Sequence, residues 1–155
     1  MKITKVSQAG LDLIKTFEGF SAKPYPDPGS GGLPITIGYG STYYEDGRKI
    51  SMSDPLISEE RALKLLANVL QSYEKSVDSF CRDDISQHQF DALVSFAYNV
   101  GVNALRNSTL LKKVNANPAD PSIRDEFRRW NRAAGRVLAG LTRRRTAEAE
   151  LYFKV

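Results

Sequence analysis

The chain has 155 residues, and 22 Lys and Arg against 18 Asp and Glu give it a net charge of +4. This length can bury a core without disulfide bridges, and the one cysteine, Cys81, has no partner for an internal bridge and is expected to be buried. The charge favours polyanionic partners in general, such as cell-wall polymers or nucleic acid. The first ten residues lack an apolar stretch of signal-peptide length, and no later run suits a membrane span, so we expect a soluble, cytoplasmic protein.

The first predicted element is an amphipathic helix that follows Ser7, a typical N-cap residue, and ends at Gly19. Glu18 therefore lies at the C-terminus of this helix, next to a glycine that stops it. The apolar residues at helical spacing are Leu11, Ile14 and Phe17.

A turn-rich segment with seven closely spaced prolines and glycines follows and carries Asp27. Thr36 then opens a short β-branched run. We expect residues 20–52 to form a small antiparallel sheet, with a hairpin turn at Asp46-Gly47 before a further strand. The two expected earlier strands are Ala22–Tyr25 and Thr36–Tyr39.

Two carboxylates on different elements suit the cleavage of a glycosidic bond. One must be protonated to donate to the leaving oxygen, and the C-terminus of a helix disfavours negative charge, which fits Glu18. The other must stay ionised on a solvated loop, which fits Asp27. From spacing alone, the simpler explanation remains favoured: a solvated glutamate at a helix end and an aspartate that forms a turn.

Four tyrosines cluster in the same region and could stack on sugar rings or simply cover a small sheet. Both interpretations fit the residues equally well. They are Tyr25, Tyr39, Tyr43 and Tyr44.

The rest of the chain reads as helices. A long helical pattern begins at Ser58 and resembles a spine between two lobes. Ser86 and Gln89 form a capping box for the next helix, and Asp120-Pro121 marks another helix start. His88 fits a surface position, and without a Cys or His cluster we expect no metal site.

Arginines concentrate near the C-terminus. They could form a nucleic-acid patch, but apolar residues alternate with them at helical spacing and no nucleic-acid motif accompanies them, so an interior arginine paired with an acid is favoured. The residues are Arg128, Arg129, Arg132, Arg136 and the run Arg143-Arg144-Arg145.

Several motifs together resemble the phage-type lysozymes (endolysins) of the T4-lysozyme-like family, glycoside hydrolase family 24. The resemblance runs in order from about Leu11 to Phe153, although residues 29–34 make the gap between the aspartate and the threonine longer than in the shortest members. The motifs are Phe17-Glu18-Gly19, residues 22–28, residues 36–42, residues 89–101, Trp130-Asn131, residues 140–145 and Glu148.

This resemblance implies an α+β, mainly helical lysozyme-like fold in a single catalytic domain, 1–155, with a cleft between two lobes. Lobe 1 would span about 12–57 and carry the small antiparallel sheet. A connecting helix would span about 58–80, and lobe 2 about 81–155 plus the N-terminal helix.

The implied reaction is hydrolysis of the β-1,4 bond between N-acetylmuramic acid and N-acetylglucosamine in peptidoglycan, without a cofactor. Glu18 would be the acid, while Asp27 and Thr36 would position the attacking water. Substrate contacts are expected at Tyr25, Tyr39, Asn99 and Arg136, with Arg136 held against the catalytic glutamate. Two alternatives remain: a lytic transglycosylase acting on the same bond, and a cell-wall-binding module without catalysis.

The resemblance also implies a monomer that binds no nucleic acid and does not insert stably into a membrane. We expect it to stay in the host cytoplasm until a holin permeabilises the membrane, and then to reach the periplasm and cell wall.

Overall fold

The computed structural model describes residues 2–28 and 30–155, and these contain seven α-helices and four short strands. In chain order they are α1 (Gln8–Glu18), β1 (Ser21–Tyr25), β2 (Thr36–Gly38), α2 (Glu59–Phe80), α3 (Gln87–Val100), α4 (Val102–Arg106), α5 (Thr109–Ala116), α6 (Ile123–Arg128), β3 (Arg132–Ala133), β4 (Arg136–Val137) and α7 (Ala139–Tyr152).

The chain divides into two compact units. Unit 1 comprises the described residues among 1–13 together with 72–155, and unit 2 comprises those among 14–71. Helices α1 and α2 each contribute residues to both units.

Unit 1 is helical, and its packing centres on α3. This helix packs against α7 and α4, while α6 packs against α7 and α5. The predicted capping box is present, because the Ser86 hydroxyl accepts from the Gln89 N–H and the Gln89 side chain accepts from the Ser86 N–H. Fully buried apolar side chains of this unit include Phe90, Leu93, Phe96, Leu105, Val114, Ile123 and Phe127.

The segment before α1 is held in unit 1 by two buried carboxylates. The Val6 N–H donates to Glu74 Oε2 at 2.8 Å, and the Ser7 N–H donates to Asp91 Oδ1 at 2.9 Å. The Ser7 hydroxyl also donates to Asp91. Ser7 thus precedes the helix as predicted, but its hydroxyl is used in a long-range contact with α3.

Unit 2 contains the antiparallel pair β1 and β2, in which Ser21 opposes Gly38 and Tyr25 opposes Thr36. An advance of four positions along β1 is therefore matched by an advance of two along β2, so the ladder bulges between these pairs. The apolar cluster of this unit is formed by Ile37, Tyr44, Ile50 and Leu65, with Ile35 and Ile57 packed against it.

The predicted turn at Asp46-Gly47 is present, since the Gly47 N–H donates to the Tyr44 carbonyl and the Tyr44 N–H to the Arg48 carbonyl. The strand expected after it is wrong: within the described part of the chain, the contact between Tyr43 and Lys49 is an isolated bridge. Residues 45–49 are all exposed, so no buried face stabilises a longer ladder there.

The helix start predicted at Asp120-Pro121 is displaced. Asp120 Oδ1 accepts from both the N–H and the hydroxyl of Ser122, at 2.9 and 2.8 Å. This side chain stabilises a turn rather than a helix end, and α6 begins at Ile123. Trp130 follows this helix.

In the described part of the chain, no helix is long and apolar enough to cross a membrane. Among the same residues, there is no group of three or more His, Cys, Asp or Glu side chains that could hold a metal ion.

Candidate active site

Glu18 is the last residue of α1 and is half-buried. The next residue, Gly19, has φ +71°, a left-handed conformation that glycine adopts readily, and its N–H donates to the Lys15 carbonyl at 3.0 Å. The predicted helix stop is confirmed, and it places the glutamate at the carbonyl end of the helix.

Asp27 lies at the base of a turn that closes on the aspartate itself. Its N–H donates to the Gly32 carbonyl at 2.9 Å, and its own carbonyl accepts from the Gly31 N–H at 2.7 Å. Its carboxylate accepts from the Ser30 N–H at 3.0 Å. The turn therefore fixes both the backbone and the carboxylate of this residue.

Thr36 begins β2 directly opposite Tyr25 on β1. It is buried, and its hydroxyl donates to the Pro34 carbonyl at 3.3 Å. The strand pairing therefore places a hydroxyl-bearing residue beside Tyr25, even though eleven positions separate the two in the chain.

Tyr25 interacts with the charges of the two predicted catalytic carboxylates and lies opposite the predicted catalytic threonine, Thr36. Burial raises the pKa of its phenol, and the negative charges of Glu18 and Asp27 raise it further. The charges of both carboxylates therefore act on this hydroxyl. Unit 2 thus contains both carboxylates together with Tyr25 and the threonine that opposes it across the strand pair.

The other tyrosines of unit 2 differ in their surroundings. Tyr39 is only 4% exposed, with the Phe20 ring 5.6 Å from its own and the Lys15 ammonium 5.7 Å from its centroid. Tyr44 belongs to the core cluster, and its hydroxyl donates to Asp54 at 2.7 Å. A sugar contact at Tyr39 stays a prediction.

In unit 1, Asn99 lies at the exposed end of α3 and lines a pocket of about 310 Å³. The pocket also contains the half-buried Trp130 and the exposed Arg132. The remaining lining residues are Val100, Ala133 and Leu141.

A buried charged cluster lies beneath this pocket. Arg144 and Arg145 share the carboxylate of Glu148, with Arg144 Nε 3.3 Å from Oε2 and Arg145 Nε 2.7 Å from Oε1. Ser95 donates its hydroxyl to Oε2 at 2.6 Å. Burial raises the pKa of Glu148, and the two guanidinium groups oppose that rise. The arginine run is therefore partly interior, as its spacing indicates.

Arg136 is exposed on β4, which pairs with β3 through Ala134 and Gly135. The sequence indicates an interruption here but not the hairpin. The predicted contact between Arg136 and the catalytic glutamate stays a prediction.

Comparison with known proteins places this arrangement in a family. The family model described as phage lysozyme matches residues 15–148. The chain belongs to the phage lysozyme family.

Among relatives, the chain is 44% identical to the endolysin of Bacillus phage B103, a match that covers 95% of this chain and 53% of that protein. The chain thus spans about half the length of that endolysin. Among solved structures, an endolysin from Escherichia coli O157:H7 phage FAHEc1 superimposes with a TM-score of 0.87 at 32% identity, covering 99% of this chain and 96% of the other. The muramidase domain of SpmX from Asticaccaulis excentricus gives 0.83 at 32% identity, covering 99% and 100%.

The predicted fold class is confirmed: the chain is mainly helical, with small antiparallel strand pairs, and its neighbours have the lysozyme fold. Sequence reasoning did not identify Arg145 as the partner of Asn99, nor Glu148 as the acid that pairs with Arg144 and Arg145. The signal available was the spacing of three and four residues that brings Arg145, Arg144 and Glu148 onto one side of a helix.

Proposed function

We propose that this chain is an endolysin that hydrolyses the β-1,4 bond between N-acetylmuramic acid and N-acetylglucosamine in peptidoglycan, and so lyses a bacterial host cell. The observation that carries the proposal is that unit 2 holds Glu18 at a helix end, Asp27 in a closed turn and Thr36 opposite Tyr25 on paired strands. Two carboxylates and a hydroxyl are the groups that cleavage with water requires.

In the proposed mechanism, Glu18 donates a proton to the leaving glycosidic oxygen. It lies at the carbonyl end of α1 and is half-buried. Asp27, whose carboxylate accepts from the Ser30 N–H, and Thr36, opposite Tyr25, orient the attacking water, and Asp27 takes the proton that the water loses. Water activated by a second carboxylate on the opposite face of the sugar gives inversion at the anomeric carbon.

Membership of the phage lysozyme family supports this reaction, as does the similarity to an endolysin and to a muramidase domain. Within that family we assign the chain to the T4-lysozyme-like group, glycoside hydrolase family 24. We assign residues 1–155 to one catalytic domain and Tyr25, Tyr39 and Asn99 to substrate binding.

The decisive experiment compares wild type with Glu18→Gln and Asp27→Asn in clearing a suspension of purified peptidoglycan. Each variant keeps the size of the side chain but removes its acid or base function, so we expect the rate to fall by about 100- to 10,000-fold. The melting temperature should change little, since neither carboxylate is fully buried.

Glu60→Gln is the matched control, because it makes the same chemical change at an exposed position of α2. If either active-site variant clears peptidoglycan within a few-fold of wild type, that residue is not catalytic. Product analysis separates the two enzymatic alternatives: anhydromuramic ends would identify a transglycosylase, and reducing ends a hydrolase.

We also propose that the protein acts as a monomer and depends on a holin to reach the cell wall. No helix of residues 2–28 and 30–155 is long and apolar enough to cross a membrane. Cytoplasmic expression should be tolerated until the membrane is permeabilised. Lysis without permeabilisation would refute the dependence.

A further inference from the structure

Arg145 fixes the orientation of the Asn99 side chain. Its Nη2 donates to Asn99 Oδ1 at 2.9 Å. A guanidinium group has only donors, so the amide atom that faces it must be the oxygen. The contact therefore settles which way the carboxamide points, and it leaves the Asn99 NH2 group as the donor available to a ligand.

Arg145 is itself immobilised. Its side chain is fully buried, it lies 5.0 Å from the Phe96 ring centroid, and its Nη2 donates to Glu148 Oε2 at 3.1 Å. Glu148 is fixed in turn by Ser95 and Arg144. Because Arg145 is held on several sides, it can orient Asn99 before a ligand binds, so that little side-chain conformational entropy is lost on binding.

The group that Arg145 orients faces a pocket with polar and aromatic walls. Asn99 is exposed there beside Trp130 and Arg132. Trp130 packs edge to face on the Phe96 ring, with the two ring centroids 5.5 Å apart. The Arg145 guanidinium group lies over that same ring, so Arg145 is linked to the pocket through Phe96 and Trp130 as well as through Asn99. An amide NH2 next to a guanidinium group suits an oxygen that accepts hydrogen bonds.

We propose that Arg145 is a positioning residue that holds Asn99 so that its NH2 group donates to an acceptor oxygen of the bound cell-wall polymer. The inference rests on the proposed function and adds to it a residue that acts only through Asn99. The acceptor can belong to a peptide stem or to a sugar substituent such as an N-acetyl carbonyl.

The test measures kcat and KM on peptidoglycan for Asn99→Asp, Asn99→Ala and Arg145→Lys. Asn99→Asp keeps an oxygen for Arg145 but replaces the donor by an acceptor. Arg145→Lys keeps the charge opposite Glu148 but shortens the reach to Asn99. We expect each to raise KM about three- to tenfold, the worth of one hydrogen bond, and to leave kcat within about twofold.

The double variant Asn99→Ala with Arg145→Lys distinguishes positioning from general damage. If Arg145 acts through Asn99, Arg145→Lys changes KM no further once Asn99 is alanine. If the KM increases of the two single variants multiply in the double variant, or if Arg145→Lys alone leaves KM unchanged, the proposal is wrong.

Two controls accompany these variants. Val114→Ala removes fully buried apolar volume from α5, away from the pocket, and should lower the melting temperature without raising KM. Arg128→Lys makes the same change as Arg145→Lys at an exposed position and should alter neither property.

The substrate identifies the source of the acceptor. If the effects vanish on glycan strands stripped of peptide by an amidase, the acceptor is on the stem; if they persist, it is on the sugars. Pelleting of each variant with purified sacculi, in a Glu18→Gln background, measures binding without turnover. If the wild type does not cleave peptidoglycan but pelleting with sacculi still depends on Arg145, the proposed function is wrong and this inference stands.

Discussion

The two units use charged side chains in opposite ways. In unit 1, Arg144, Arg145 and Glu148 are almost completely buried. Both arginines pair with the Glu148 carboxylate, where α7 packs against α3. In unit 2, Glu45 and Arg61 form a two-pronged pair, with Nη2 2.8 Å from Oε1, but both side chains remain more than one-third exposed. Similar contact distances therefore have very different energetic weight, because burial decides how much water competes for each charge.

The two units also differ in how they position their candidate site residues. Those of unit 2 are placed mainly by the backbone: a helix end for Glu18, a closed turn for Asp27 and a strand pairing for Thr36. The predicted contact residue of unit 1, Asn99, is placed by a buried side chain. We therefore expect unit 1 to be sensitive to changes of charge, and unit 2 to changes of backbone geometry.

The largest expected effect comes from Glu148→Gln in unit 1. It leaves two guanidinium groups buried without a negative charge, so we expect the free energy of unfolding to fall by about 3–5 kcal/mol in urea denaturation. Glu150→Gln, on the exposed side of the same helix, should stay within about 0.5 kcal/mol. A loss below about 1 kcal/mol for Glu148→Gln would show that burial does not set the weight of this cluster.

A smaller effect is expected from Gly38→Ala in unit 2. Gly38 has φ +67°, and a Cβ there would lie 3.0 Å from the Cβ of Ala62, so strain and crowding together should cost about 2–4 kcal/mol. Gly47→Ala isolates the strain, because Gly47 has φ +87° with no atom near the added Cβ, and should cost about 1 kcal/mol. Equal losses in the two variants would remove crowding as a cause.

The smallest effect concerns the exposed pair. Hydrogen bonds from Arg61 lower the pKa of Glu45 to about 2. A lowered pKa in the folded state contributes stability above the ordinary glutamate pKa, and this contribution is lost as pH falls towards 2. Glu45→Gln should therefore lower the melting temperature slightly at pH 7 and flatten its decline between about pH 4.5 and 2, relative to Glu59→Gln. An unchanged acid profile would show that solvent screens the pair completely.

Local features of this chain were predictable from sequence because neighbouring residues determine them. The glycine that stops α1 after Glu18 and the capping box of α3 follow from residue type and spacing alone. The threonine site is harder to predict. The bulge between Ser21 and Tyr25 sets which residue opposes Thr36, and an alternating pattern does not reveal a bulge.

Long-range and very short features were not predictable. Arg145 meets Asn99 only because α7 packs on α3, 46 positions away in the chain. The β3–β4 hairpin has two exposed residues in each strand, so it leaves no hydrophobic period to detect. The start of α6 was misplaced because an aspartate before a proline suits a turn as well as a helix cap.

The turn at Asp27 makes this stretch of the chain a candidate for grafting. The Asp27 N–H donates to the Gly32 carbonyl, so a hydrogen bond already joins the two ends of this turn. Extra residues inserted after Ser30 would lengthen only its exposed tip, without requiring Thr36 to move. An epitope or a short receptor-binding peptide could therefore be displayed at this position, next to the turn that holds Asp27 rather than at a chain terminus.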